Sequence, residues 1–129
     1  MEILNISTSK REELIDITGR VKAVIKDVSE GIVFLYVPHT TAALTCNENA
    51  DPSVKSDIIK KMSSLVPEKD NYKHMEGNSD AHVKTSLFGG GEFFIISGGG
   101  LMLGEWQGIY FAEFDGPRKR KVYCSIIKS

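Results

Sequence analysis

Cysteine, histidine, tryptophan and long apolar runs are all scarce in this 129-residue chain. Its two cysteines, Cys46 and Cys124, are far apart and form no C-x-x-C motif, so a thiol-based metal site of that type is excluded. The pattern favours a reduced, cytoplasmic protein with two buried thiols. No apolar run approaches the ~20 residues that cross a bilayer, and the N-terminal residues lack a signal-peptide pattern. We therefore expect no membrane partner.

An excess of charge of one sign is also missing, because 16 basic residues face 17 acidic ones. Such a balance gives no global field that would draw nucleic acid or an anionic membrane. The one basic run, Arg118 to Lys121, has no interleaved aromatic residue, and a solvated strand end is its favoured interpretation. We expect no nucleic-acid partner. Arg118 is the exception, because Pro117 fixes the backbone before it, and its guanidinium could hold a phosphate or carboxylate bidentately.

Most of the predicted elements are extended segments. The length of the chain indicates a single domain over residues 1–129. The continuous apolar run Ile32–Val37 is too short for a helix and predicts a buried strand, and the other extended patterns predict further strands. The turn Asp115-Gly116-Pro117 predicts a hairpin between the last two of them. The predicted strands are Glu2–Thr8, Ile32–Val37, Thr41–Asn47, Glu92–Ser97, Leu101–Leu103, Gly108–Asp115 and Lys119–Ile127.

Three segments have helical signals. The first follows Thr18-Gly19 and ends at Gly31, with an apolar face of Val21, Val24, Ile25 and Val28. The second begins at Asp51-Pro52, a capping aspartate followed by proline, and turns Val54, Ile58, Met62 and Leu65 inward. The third is capped by Asn78 or Ser79 and runs to Phe88. The predicted class is α+β, a mainly antiparallel sheet or sandwich with two or three helices packed on it.

Two glycine triplets, Gly89–Gly91 and Gly98–Gly100, bracket one predicted strand. Neither fits a P-loop or a dinucleotide-binding loop, so turns between strands are favoured, with closure over a ligand as the alternative. Trp106 lies between Glu105 and Gln107 just after a glycine. It fits a core or subunit-contact aromatic as well as a loop aimed at a pocket, and the sequence leaves both open.

The three histidines carry the strongest functional signal. His74 and His82 lie in one polar stretch, and His39 ends an apolar run and leads into Thr40. Histidine is the usual nitrogen ligand of zinc-like metals and the usual acid or base near neutral pH. No compact motif such as H-E-x-x-H is present. A shared site and three unrelated surface histidines therefore both remain open.

Three blocks of sequence resemble one known family. They are HTTAALTCNENAD from His39 to Asp51, NSDAH from Asn78 to His82, and LGEWQGI from Leu103 followed by EFDGPR ending at Arg118. In this order they resemble the signature blocks of the YjbQ-like family, small bacterial and archaeal proteins also called secondary thiamine-phosphate synthases. The resemblance covers essentially the whole chain. Cys46, Gly91 and Ser97 depart from the family pattern, and the departure at Cys46 favours a core role for this thiol.

The resemblance implies a compact α+β subunit that assembles as a homotrimer, with the histidines at one metal or anion site close to a subunit boundary. The implied roles divide into three sets. The metal ligands would be His39, His74 and His82; the catalytic residues Glu48 and Arg118; and the substrate-binding residues Thr40, Asn49, Asp51 and Gln107.

The family name implies a transferase that joins a pyrimidine pyrophosphate to a thiazole phosphate, giving thiamine phosphate and pyrophosphate. That chemistry needs a divalent ion and cationic groups on the leaving charge. Three neutral imidazoles suit Zn²⁺, whereas Mg²⁺, the alternative cofactor, prefers carboxylates and water. We therefore expect a metal-dependent enzyme acting on a small phosphorylated metabolite. A zinc-assisted hydrolase and a non-catalytic metal- or metabolite-binding protein are the alternatives.

Overall fold

The computed structural model describes all residues 1–129 and contains eight strands and three helices, which confirms the α+β class. None of the helices is long and apolar enough to cross a membrane. The elements in chain order are β1 Glu2–Ser7, β2 Glu13–Asp16, α1 Thr18–Val24, β3 Gly31–Tyr36, β4 Ala42–Glu48, α2 Pro52–Leu65, α3 Ser79–Phe88, β5 Gly91–Ser97, β6 Gly100–Leu101, β7 Gln107–Glu113 and β8 Lys119–Lys128.

The strands form two antiparallel sheets. The larger sheet has the order β1-β8-β3-β5-β6 and the smaller one the order β2-β7-β4. The main core cluster takes buried side chains from both sheets and from α1, among them Val33, Leu44 and Phe111. These apolar residues therefore lie between the sheets, and the arrangement is a two-layer sandwich.

The predicted hairpin between the last two strands is wrong. β7 pairs with β2 and β4 in the smaller sheet, whereas β8 pairs with β1 and β3 in the larger one. The segment from Asp115 to Arg118 therefore carries the chain from one sheet to the other. A turn motif indicates where the chain reverses, but it does not indicate which strands then pair.

Strand β2 was not predicted, because it has four residues and no clear alternation. It forms by pairing along β7, with Leu14 opposite Ala112, and its apolar Leu14 is buried in the smaller core cluster. Pairing with β7 and burial of Leu14 therefore stabilise a strand for which the local sequence has no clear signal.

The first two helices differ in detail from their predictions. α1 ends at Val24, and Val28 is buried from the following turn rather than from a helix. α2 has the predicted bounds, with Asp51 Oδ1 accepting from Ser53 N at its start, but none of its residues is fully buried and Leu65 is 62% exposed. It contacts the smaller core cluster through Ile58 and Ile59.

Strand β3 is not buried on both faces as expected. Val33 and Leu35 are fully buried, but Phe34 on the opposite face is 42% exposed. Residues that are directly opposite on paired strands lie on the same face of a sheet. The uncovered face therefore continues from Phe34 in β3 onto the paired strands β5 and β8, and from β8 onto β1. We call it the outer apolar face; its exposed members are Ile3, Ile32, Phe34, Tyr36, Phe93, Ile95 and Ile127. A continuous apolar run does not distinguish a strand covered on both sides from one with an uncovered apolar side.

The glycine triplets have different roles. Gly98 and Gly99 have positive φ angles of 59° and 81° and form the predicted turn between β5 and β6. The first triplet instead joins a helix to a strand, since Gly89 follows the last residue of α3 with φ 93°. The expectation of a turn between two strands is therefore confirmed for one triplet and wrong for the other.

The two thiols also differ. Cys124 is buried, and burial raises the pKa of its thiol to about 11. Cys46 is only half-buried, contrary to expectation, although it packs on the main core cluster. Both thiols are free.

Candidate functional site

A cavity of about 490 Å³ opens where three loops meet, and it brings all three histidines together. We call it the histidine–arginine pocket. Its walls come from the loop between β3 and β4, the segment before and within the first turn of α3, and the crossing from β7 to β8. Apart from Pro38, only polar or charged side chains line it. The lining residues are Pro38, His39, Thr40, Thr41, His74, Glu76, Asn78, His82, Asp115, Arg118 and Arg120.

The predicted site residues fall into two groups. His39, His74, His82, Thr40 and Arg118 line the pocket. Four others lie at or next to the far end of β4, a seven-residue strand of roughly 20 Å that starts just after the pocket residues. They are Glu48, Asn49, Asp51 and Gln107. One chain therefore does not bring this second group to the histidines.

The second group forms its own local structure. Glu48 pairs with Gln107 across β4 and β7, and the backbone N–H of Asn49 donates to the carbonyl oxygen of Trp106 at 2.9 Å. Asp51 caps α2. Trp106 is 57% exposed and does not line the histidine–arginine pocket. These contacts are those of a strand end and a helix start.

Six pocket residues were not predicted as site residues: Pro38, Thr41, Glu76, Asn78, Asp115 and Arg120. Asn78 and Asp115 lie inside the blocks that carry the family resemblance, so that signal could have found them. Arg120 belongs to the basic run that we expected to be solvated, but it is only 6% exposed. Successive side chains of β8 point to opposite faces of the sheet, and Arg120 is on the buried face.

A buried ion pair joins two walls of the pocket. Arg120 Nε donates to Glu113 Oε1 at 2.8 Å, and Nη2 donates to Glu113 Oε2 and to Thr41 Oγ1. Thr8 Oγ1 and the backbone N–H of Asp115 donate to the same carboxylate. The charges are thus paired and hydrogen-bonded, as burial requires. This network fixes Thr41 relative to the crossing segment.

Two of the three guanidinium nitrogens of Arg118 are hydrogen-bonded within the chain, and the third is not. Its Nε donates to the carbonyl oxygen of Asp115 at 2.8 Å and its Nη2 to Asp115 Oδ2 at 2.9 Å. Its Nη1 has no partner within the chain, and the side chain is 53% exposed. Two bonds therefore orient the guanidinium while the third nitrogen can still donate to a ligand.

Asn78 ties the start of α3 to the same aspartate. Its Nδ2 donates to Asp115 Oδ2 at 2.8 Å, so its side chain does not cap the helix as predicted. Its Oδ1 is buried and has no hydrogen-bond partner. Buried polar atoms without partners are rare in folded proteins, so this oxygen marks unfilled bonding capacity at the pocket wall.

His74 and His82 lie edge to face, with ring centroids 5.5 Å apart and planes at 89°. His74 Nε2 is 3.7 Å from Glu76 Oε2, on an exposed part of the wall. His82 is on the first turn of α3, so its position depends on how that helix is held.

A second buried ion network holds α3 in place. Asp80 is fully buried, and its carboxylate accepts from Arg11 Nη2 at 3.0 Å and from Lys84 Nζ at 2.9 Å. Lys84 also donates to Glu12 Oε2 at 3.0 Å. Burial raises the pKa of Asp80, but the hydrogen bonds from Arg11 and Lys84 outweigh it, so the pKa is lowered overall. The carboxylate is therefore ionised and clamps α3, with His82, to the loop before β2.

His39 is fixed by the backbone of β8. The N–H of Lys121 donates to His39 Nε2 at 2.9 Å. Burial, with the positive charge of Arg120 as a further cause, lowers the pKa of His39. The ring is therefore neutral at neutral pH and accepts a hydrogen bond at Nε2.

The residues as placed do not fit the expected metal centre. No group of three His, Cys, Asp or Glu side chains has an arrangement that could hold a metal ion. Nε2 of His39 is already occupied by the Lys121 N–H, and Asp115 is engaged with Arg118 and Asn78. A Zn²⁺ or Mg²⁺ cofactor stays a prediction, and we derive no step through a metal.

A two-layer α+β sandwich with a polar pocket where its sheets are joined defines the structural class. The profile of the family described as "UPF0047 protein YjbQ-like" matches residues 2–129. The chain belongs to this family, and the resemblance seen in its sequence blocks is confirmed. A UPF0047 protein of Methanocaldococcus jannaschii is 57% identical over 95% of this chain and 90% of its own length. UPF0047 protein YugU of Bacillus subtilis is 46% identical over 98% of both chains.

Solved structures of the family share the fold. An uncharacterized conserved protein of the YjbQ/UPF0047 family from Clostridium acetobutylicum is 49% identical, with a TM-score of 0.96 over 98% of this chain and 100% of its own. A protein of unknown function from Sulfolobus solfataricus is 30% identical, with a TM-score of 0.94 over 99% of this chain and 96% of its own. The fold is therefore kept as the sequence diverges.

Proposed function

We propose that the protein is an enzyme that acts on a small phosphorylated metabolite, with the histidine–arginine pocket as its active site. One observation carries the proposal: a single polar cavity is lined by all three histidines and by Arg118, whose Nη1 has no partner within the chain. Such a cavity suits an anionic, hydrogen-bonding ligand better than an apolar one.

The pocket residues match the needs of phosphate chemistry. A leaving or transferring phosphate gains negative charge, which a pre-oriented guanidinium stabilises strongly. Arg118 is pre-oriented by its two bonds to Asp115. His74 and His82 are of the residue type that donates or removes a proton near neutral pH. These roles support a transferase or hydrolase of phosphate esters or pyrophosphates.

The thiamine-phosphate synthase reaction implied by the family name is a less complete match. In that reaction the C–O bond to pyrophosphate breaks and the thiazole nitrogen forms a bond to the same carbon. The developing carbocation and the pyrimidine ring call for an apolar, water-excluding wall. The lining of the histidine–arginine pocket has no such wall in one chain. Hydrolysis or transfer at a phosphate is therefore the form of the proposal that we favour.

A steady-state assay with thiamine precursors and a panel of phosphate esters tests the proposal. The protein is assayed after chelator treatment and again with Zn²⁺ or Mg²⁺ added, so that metal dependence is read in the same experiment. Turnover of at least one compound supports the proposal. Measurable affinity for these compounds without any turnover would instead favour a metabolite-binding protein.

We also propose that the protein assembles as the homotrimer implied by the family resemblance, through the outer apolar face. Directly opposed exposed pairs, Ile32 with Ile95 and Phe34 with Phe93, extend this face across neighbouring strands. Contiguous apolar patches of this kind are typical of subunit interfaces.

Replacing Phe34 with lysine is expected to dissociate the trimer, because it places a charge in the middle of the buried interface. Light scattering of the wild type should give about three times the 14.3 kDa of one chain, and the variant should give one chain's mass. Leu65→Lys is the matched control, since Leu65 is also exposed but lies on α2. A wild-type mass of 14.3 kDa at micromolar concentration would contradict the proposal.

A further inference from the structure

We propose that His39 binds the phosphate group of the ligand as a fixed, neutral hydrogen-bond donor through Nδ1–H, and that it is not a metal ligand. The inference rests on the proposed function, which it deepens by assigning one wall of the pocket to the phosphate. It depends on a single contact, from the backbone N–H of Lys121 to His39 Nε2 at 2.9 Å.

That contact determines the tautomer. A backbone N–H can only donate, so the nitrogen that faces it must carry a lone pair. In a neutral imidazole the other nitrogen then holds the proton, which in His39 is Nδ1. A protonated ring would carry an N–H at Nε2 facing the Lys121 N–H, so the contact keeps the ring in this neutral form. His39 lines the cavity, and its Nδ1 makes no hydrogen bond to another group of the chain.

Metal ligation by His39 would break this arrangement. A metal on Nδ1 would require that nitrogen to lose its proton, and a neutral ring would then carry the proton on Nε2. Two donors, Nε2–H and the Lys121 N–H, would face each other at 2.9 Å. Ligation through Nε2 would displace the backbone donor directly. Either route costs the hydrogen bond that now orients the ring.

An oxyanion can accept a hydrogen bond from Nδ1–H of His39 without breaking the hydrogen bond between Nε2 and the Lys121 N–H. Phosphate oxygens accept hydrogen bonds, and Nδ1–H of His39 and Nη1 of Arg118 are both donors on side chains that line the same cavity. One donor is neutral and fixed to β8, and the other is cationic and fixed to Asp115. Fixed donors bind an oxyanion with little loss of side-chain freedom.

A matched pair of variants separates the two roles of the ring. The amide of asparagine occupies the place of Nδ1, and the amide of glutamine occupies the place of Nε2. His39→Asn therefore keeps a donor for the anion, whereas His39→Gln keeps an acceptor for Lys121 N–H and moves the donor away. The dissociation constant for inorganic phosphate is measured by calorimetry on chelator-treated protein. We expect His39→Asn to stay within about threefold of wild type and His39→Gln to bind about tenfold more weakly.

The outcomes distinguish this inference from the proposed function. Equal losses in both variants, no loss in either, or no phosphate binding by the wild type would overturn it, even if the enzyme turns over a phosphate ester. Nitrogen-15 NMR of histidine-labelled protein reads the tautomer without any ligand. A proton on Nδ1 of His39 that persists when Zn²⁺ is added supports the inference, and a proton on Nε2 or a Zn²⁺-shifted His39 nitrogen overturns it. If the assay detects no turnover while phosphate binds as expected, the proposed catalytic function is rejected and the phosphate site at His39 is supported.

Discussion

Replacing Arg118 with alanine is expected to lower kcat/KM for a phosphorylated substrate by about 100-fold or more. The variant removes the uncommitted Nη1 of Arg118, so negative charge developing on phosphate loses a cationic partner. The fold should be little affected, because the side chain is 53% exposed and an exposed ion pair contributes less than about 1 kcal/mol. Steady-state kinetics and a thermal melt measure the two effects separately.

Glu48→Gln is the control that the geometry provides for this prediction. The family resemblance implies a catalytic role for Glu48, but its carboxylate accepts from the backbone N–H of Ala50 beyond the far end of β4. We expect kcat/KM within about twofold of wild type, as for a substitution outside the active site. If Glu48→Gln were as damaging as Arg118→Ala, catalysis would need both ends of β4, and a pocket built from one chain would be rejected.

Replacing Asp80 with asparagine is expected to destabilise the protein by about 3–5 kcal/mol. The substitution leaves Lys84, which is 1% exposed, as a buried ammonium without its closest carboxylate. A loss of this size is a large fraction of the stability of a domain. Urea unfolding at neutral pH measures it. Asp57→Asn on α2 is the matched control, because Asp57 is exposed, and it should change stability by less than about 0.5 kcal/mol.

The pH dependence follows from the direction of the Asp80 pKa shift. Since the folded-state pKa is lowered, unfolding takes up a proton from acidic solution, and the contribution of the carboxylate is fully present above its unfolded pKa of about 4. It is lost as the pH falls through the folded pKa. The stability difference between wild type and Asp80→Asn should therefore shrink below about pH 4. A difference that stays constant down to pH 2 would show that the carboxylate charge is not what stabilises α3.

Much of the fold was predictable because local signals and tertiary pairing agree. Asp51 and Pro52 placed the start of α2 correctly, since a cap and a first-turn proline act within the helix itself. The pairing of β7 and β8 was not predictable, because the Asp115–Pro117 turn has the same local chemistry whether the chain returns to its own sheet or crosses to another. Strand β2 depends on β7 for its existence.

Part of the candidate site was also predictable from the sequence, and part of it was not. The family resemblance predicted that the histidines gather, and one pocket contains all three. Glu48, Asn49 and Asp51 were grouped with them because the family block is continuous in sequence, whereas an extended strand separates its ends by roughly 20 Å. Asp115 joins the site by bonding Arg118 and Asn78, and a contact between distant loops leaves no periodic signal in the chain. The tautomer of His39 depends on Lys121 in the same way.

Mapping a phosphate ester onto the backbone amides of the labelled protein tests the central claim most directly. The compound with the highest turnover in the assay, or inorganic phosphate in its place, is titrated while amide chemical shifts are followed. We predict that the largest changes occur at Thr40, His82 and Arg118, on the three walls of the histidine–arginine pocket. Changes concentrated instead at Glu48, Asn49 and Trp106, at the far end of β4, would contradict the account.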